Sequence, residues 1–129
     1  MAGQSGNTGA QALAVIMRGL SLREITQRHW LKVVTKEGLV GVINGVAVAI
    51  VTGVAVLVWS RSVGLATIIG VSMVLSMAMA AMAGASIPIL LKMIGQDPAQ
   101  SSSIVLTTVT DVTGFLSFLG LATIFSAVL

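Results

Sequence analysis

Apolar residues run through this chain in long blocks, separated by short polar stretches. Gly38–Trp59 is rich in Val, Ala, Gly and Leu, with Asn44 and Thr52 as its notable polar residues. Leu65–Met93 follows, with a Met-rich middle and Pro88 near its end. A third block begins after Asp97-Pro98 and reaches almost to the C-terminus. A helix needs about 20 apolar residues to cross a bilayer, so the pattern predicts three transmembrane helices at about 38–59, 65–93 and 98–128. Alternation in segments of about ten residues, as in a membrane β-barrel, is absent.

Two further segments precede these. Residues 6–19 pass from GNTGAQ into ALAVIM and then Arg18. The apolar part is too short to span a bilayer and predicts either the second half of a transmembrane helix or a re-entrant piece. Ser21 with Glu24 fits a capping box, which predicts an amphipathic interfacial helix over about 22–36 with Trp30 as its anchor. The fold class expected is therefore an all-α integral membrane bundle: three full transmembrane helices, a preceding half-helix and an interfacial helix, all one domain over residues 1–129.

Element ends carry their own signals. Gly41, Gly45, Ala49 and Gly53 recur every four residues, a small-residue row that lets a second helix approach closely. Pro88 removes a backbone hydrogen bond toward Gly84. Gly95 marks a helix end, and Asp97-Pro98 reads as an N-cap with proline at the first helical position.

Composition agrees with the pattern. Hydrophobic residues make up 56% of the chain and charged ones 9%, against roughly 25% charged in soluble domains. Mean hydropathy is +1.04. With no cysteine and one histidine, disulfides, zinc-thiolate sites and iron–sulfur clusters are excluded. The net charge of +3 is concentrated in Arg18, Arg23, Arg28, Lys32 and Lys36. By the positive-inside rule this places loop 18–36 in the cytoplasm and the C-terminus outside; it argues for membrane lipid as partner rather than nucleic acid. No phosphate loop, dinucleotide fingerprint, HExxH or Ser-His-Asp pattern occurs, so an enzyme is not expected.

The chemistry-bearing residues lie on the last block. Ser103, Thr107 and Asp111 recur every four residues and share one helix face. A carboxylate within a membrane span is costly and marks a functional site by default. Hydroxyls and a carboxylate suit the wall of a hydrated cation path; a helix–helix interface is the alternative. One Asp per chain does not neutralise a divalent ion, whereas Asp111 from two dyad-related chains does. So sparse a ligand set suits a hydrated Mg²⁺ better than a stripped Ca²⁺. Asn7, beside the glycines of GNTG, is a further candidate.

Three segments then carry a resemblance: GNTGAQALAVIMRGL at Gly6–Leu20, PILLKMIGQDPA at Pro88–Ala99 and TTVTDVTGFLSF at Thr107–Phe118. In order and spacing they are similar to the transmembrane domain of MgtE-type magnesium channels. The resemblance implies a homodimer of five-helix chains around a central pore in a prokaryotic inner membrane. Asp111 would hold the intramembrane Mg²⁺ through its water shell, Thr107 and Ser103 would line the cytoplasmic half of the path, and Asn7 would face it. It also implies that the family's first helix, the start of its second, and the cytoplasmic N and CBS domains would precede Met1. At position 103 this chain has Ser, where an asparagine or a small residue occurs in relatives. The expected function is thus a Mg²⁺ channel or transporter subunit, with Mg²⁺ both bound and transported. A Co²⁺ or Mn²⁺ transporter on the same scaffold, or a non-conducting membrane interaction subunit, are the alternatives.

Overall fold

The structure, a computed structural model, describes residues 1–25 and 27–126. Four long helices form it: α1 (Ala2–Ser21), α2 (Trp30–Ser60), α3 (Val63–Met93) and α4 (Pro98–Ile124). A 3₁₀ turn at Gln27–His29 leads into α2. Among the described residues three helices are long and apolar enough to cross a membrane: Trp30–Ser60, Val63–Met93 and Ser102–Ile124. The sequence pattern extends the last helix to 128; residues 127–129 lie outside the described residues.

α3 is the hub, packing against α2, α1 and α4. Small residues set each approach. A Cβ on Gly41 would fall 2.7 Å from the Ala81 Cβ and from the Met77 carbonyl oxygen, and one on Gly45 would fall 2.8 Å from the Val74 Cα. Ala49 faces Gly70, and Gly53 faces Ala66. The four-residue row read from the sequence is therefore the α2–α3 seam, extended by Gly38 against Met82. On the other side of α3, Gly84 lies so close to Gly9 that a Cβ there would collide with the Gly9 carbonyl oxygen. α3 continues as helix through Pro88.

α1 is longer than the half-helix expected at 6–19. It starts at Ala2 and has 20 residues, about 30 Å at 1.5 Å per residue. The glycine-rich opening stays helical because Gly9 sits in the angle between α3 and α4. A Cβ there would lie 3.0 Å from the Ala80 carbonyl oxygen and 3.0 Å from the Leu106 Cδ1. Tertiary packing outweighs the low intrinsic helix propensity of glycine.

The separate interfacial helix over 22–36 does not form as one element. Ser21 ends α1, and its hydroxyl donates to the Met17 carbonyl at 2.9 Å. Arg23 adopts a left-handed φ of 58°. Its N–H donates to the Leu20 carbonyl, and the Glu24 N–H donates to the Gly19 carbonyl at 2.9 Å. These are the paired bonds of a Schellman C-cap. The letters that resembled a helix start therefore close the preceding helix. Residues 30–36 are the first turns of α2, continuous with its membrane-crossing part; Thr26 lies outside the described residues.

The α3–α4 turn follows the sequence reading. Gly95 has φ +78°, and the same pair of Schellman bonds joins Gly95 N–H to Lys92 and Gln96 N–H to Leu91. The Asp97 carboxylate accepts from the Ala99 N–H at 2.9 Å, with Pro98 at the helix start. Near this end of the bundle Ile16, Leu20, Val34, Ala85 and Ile89 form a buried apolar cluster, with Trp30 packed against it. Arg18, Lys32, Lys36 and Lys92 belong to the helix turns at this end, whereas Arg61 caps α2 at the opposite end.

Candidate functional site

The seam between α1 and α4 positions the polar residues. A Cβ on Gly9 would lie 3.3 Å from the Thr110 Cγ2, one on Gly6 4.0 Å from the Thr110 Oγ1, and one on Gly114 3.6 Å from the Ala2 Cα. α1 and α4 thus run antiparallel, with their small faces together. Ser102, Leu106, Thr110 and Gly114 form the buried row of α4. Thr110 is 1% exposed, and its hydroxyl donates to the Thr107 carbonyl at 3.0 Å. This row, small or hydroxyl-bearing except at Leu106, faces inward, while Ile104, Val112, Phe115, Leu116 and Leu119 are exposed. That orientation is sensible in lipid, where apolar side chains need not leave the solvent and close backbone approach drives packing.

Beside the seam lies an open groove of about 310 Å³. Asn7 comes to it from α1; Ser103, Thr107 and Asp111 come from α4. All four candidate residues therefore line one groove, although about 100 positions separate Asn7 from the others in sequence. Gly3, Gly6 and Ala10 on the facing side of α1 keep it open. The stripe from Ser103 to Asp111 rises about 12 Å along α4. The Thr107 hydroxyl donates to the Ser103 carbonyl at 2.9 Å.

Within the single chain Asp111 is exposed. A carboxylate facing lipid near the middle of a span costs about 3 kcal/mol on insertion scales. Among the described residues no cluster of three His, Cys, Asp or Glu side chains is placed to hold a metal.

A larger cavity, of about 550 Å³, lies elsewhere, between the start of α3 and the end of α4. Val63, Ile68, Val71, Leu121 and Phe125 line it, and Thr67 alone brings a polar side chain. Its apolar lining offers no charged ligand to a cation.

From the sequence, Glu37 is expected to pair with basic neighbours and Asn44 to make an interhelical hydrogen bond. The structure instead sets both on a cleft between α1 and α2, with Thr8 and Gln11 opposite. The usable signal is the seven-residue spacing of Glu37 and Asn44, which keeps both on one helix face.

Comparison with known proteins gives consistent matches. The family model described as MgtE, divalent cation transporter, matches residues 1–121. The magnesium transporter MgtE of Thermus thermophilus is 38% identical over 120 residues, covering 93% of this chain and 26% of its own. That of Bacillus subtilis is 30% identical over 125 residues, covering 97% and 28%. That of Enterococcus faecalis is 32% identical over 123 residues, covering 95% and 27%. The chain thus spans about a quarter of the length of these relatives.

Proposed function

Because the chain belongs to the MgtE family of divalent cation transporters, we propose that its groove is one wall of a Mg²⁺ path through a multi-pass membrane protein. The supporting observation is the convergence of Asn7, Ser103, Thr107 and Asp111 from two helices on one groove. A second copy related by a dyad covers the open side. Two Asp111 carboxylates then face one another across a hydrated ion and offset its charge. This arrangement also removes the carboxylate from lipid, which explains why an exposed Asp111 is tolerated.

In this reading Asp111 supplies charge, and it holds the ion through water, since Mg²⁺ gives up its waters reluctantly. Thr107, Ser103 and Asn7 accept hydrogen bonds from those waters or replace one of them. The basic end of the bundle, with Arg18, Lys32, Lys36 and Lys92, lies on the cytoplasmic side by the positive-inside rule. The C-terminal end of α4 then lies outside. The ion moves down its electrochemical gradient, and the protein supplies passage and selection without covalent chemistry.

The test is Mg²⁺ flux into liposomes carrying the intact protein, wild type against Asp111→Ala. Flux and Mg²⁺-dependent thermal stabilisation are expected to vanish together in the variant. Unchanged flux in a folded Asp111→Ala protein overturns the proposal. Stronger competition by Co²⁺ or Mn²⁺ than by Mg²⁺ would reassign the cargo. No flux of any ion in the wild type would make the chain an interaction subunit.

A further inference from the structure

α1 has a second polar face. Asn7 looks onto the Asp111 groove, and the next residue, Thr8, lines a different cleft on the other side of the helix. That cleft holds about 130 Å³ between α1 and α2. Thr8 and Gln11 line it from α1, Glu37 and Asn44 from α2, and Ala81 of α3 lies at its base. Its existence follows from the packing around it. Gly38, Gly41 and Gly45 draw α2 tightly onto α3, and Gly9 and Gly84 draw α1 onto the same helix. α1 and α2 are each bound to α3 and leave a gap between themselves. The apolar cluster of Ile16, Leu20, Val34, Ala85 and Ile89 closes the gap at the basic end of the bundle.

Glu37 is half-buried in this gap, on a helix that is long and apolar enough to cross the membrane. It stands about 10 Å from the start of α2 at 1.5 Å per residue, and Asn44 stands about another 10 Å deeper. A carboxylate at such a place needs a compensating charge. Ala12, Val15 and Val40 give the cleft apolar walls, and the polar groups sharing it with Glu37 are the Gln11 and Asn44 amides and the Thr8 hydroxyl, all of which carry an oxygen acceptor. A carboxylate with neutral oxygen donors, in a space of a few waters, is the ligand set of a hard cation that retains part of its hydration.

We infer that the α1–α2 cleft is a second cation site, taking one partly hydrated divalent ion per chain, with Glu37 as its charged ligand and Gln11, Asn44 and Thr8 as oxygen donors. The ion class is taken from the proposed function; the site itself does not use Asp111. An ion there bridges α1 to α2, which otherwise meet through α3 and through the apolar cluster at the basic end. It therefore braces the helix that carries Asn7 into the groove.

Mn²⁺ is a suitable probe, because it shares the preference of Mg²⁺ for oxygen ligands and reports by electron paramagnetic resonance. The intact protein in lipid nanodiscs is titrated with Mn²⁺, and bound ions are counted per chain. Glu37→Gln, which keeps the shape of the side chain, is expected to lower the count by one per chain. Asp111→Asn is expected to lower it by one per pair of chains, so the two readings fail separately. Gln11→Met leaves the cleft filled but removes an oxygen, and is expected to weaken the Glu37-dependent ion about tenfold, or 1.4 kcal/mol. An unchanged count and affinity in a folded Glu37→Gln protein overturns the inference, whatever Asp111→Asn does. Should Glu37→Gln not fold, an unchanged affinity in Gln11→Met overturns it instead.

Discussion

Along the α2–α3 seam Gly38, Gly41 and Gly45 meet Met82, Ala81 and Val74. Along the α1–α4 seam Gly6, Gly9 and Gly114 meet Thr110, Leu106 and Ala2. Both seams use small residues for close approach. They differ in what flanks the contact. Beside the α2–α3 seam α2 shows exposed Leu39, Ile43 and Ile50. Beside the α1–α4 seam stand Asn7, Ser103, Thr107 and Asp111. Close helix packing in this bundle is thus a general device, and chemistry is added by a stripe displaced about a quarter-turn from it.

Substitutions separate the two roles. The largest effect is expected from Asp111→Asn, which removes the groove's charge while keeping its shape. Mg²⁺ flux should fall at least a hundredfold, while the melting temperature without Mg²⁺ stays within a few degrees of wild type. Next comes Gly84→Leu, which forces a side chain into the Gly9 carbonyl. Its loss of stability should exceed the 1–3 kcal/mol or so typical of overpacked cores, visible as aggregation during size-exclusion chromatography. Gly41→Leu should destabilise comparably but leave the flux of each folded molecule unchanged, because α2 does not line the groove. A flux defect in that variant would break the comparison.

Smaller effects sharpen it. Thr107→Val keeps the volume and removes an oxygen, so the Mg²⁺ needed for half-maximal thermal stabilisation should rise several-fold. Ser72→Ala removes a hydroxyl that donates to Ile68 at 2.7 Å and lies 3.2 Å from the Ser117 carbonyl of α4. Interhelical hydrogen bonds in membranes average about 0.6 kcal/mol, so a shift of that size in reversible unfolding is expected, with flux unaltered.

Much of this was legible from the residues. The four-residue glycine row marked a close helix approach, because small residues at a helical period have few other uses in lipid, and the structure gives α3 as the partner. The Ser103–Thr107–Asp111 spacing identified the groove stripe, and Gly95 with Asp97-Pro98 identified the α3–α4 turn. The structure departed from the reading where local letters are ambiguous. Ser21 and Glu24 fit a helix start, yet Arg23 takes the left-handed position usually given to glycine, and the same letters end α1. The helix at the glycines of α1 started earlier than the half-helix expected at 6–19, because the partners that hold it, Ala80, Gly84 and Leu106, are far away in sequence. Glu37 read as a local partner of basic neighbours because the gap that half-buries it is made by three helices together.

The bond from the Thr107 hydroxyl to the Ser103 carbonyl has a consequence for discrimination by sign. A hydroxyl has one hydrogen to give, and here it is committed to the helix itself. Thr108 and Thr110 make the same commitment, to Ile104 and Thr107. What Thr107 turns toward the groove is therefore electron density alone, and a chloride ion arriving there finds no proton to meet it. In the proposed path this one side chain favours cations through the orientation of an O–H bond that the helix fixes in advance, whereas Asn7 beside it keeps the donors of its amide.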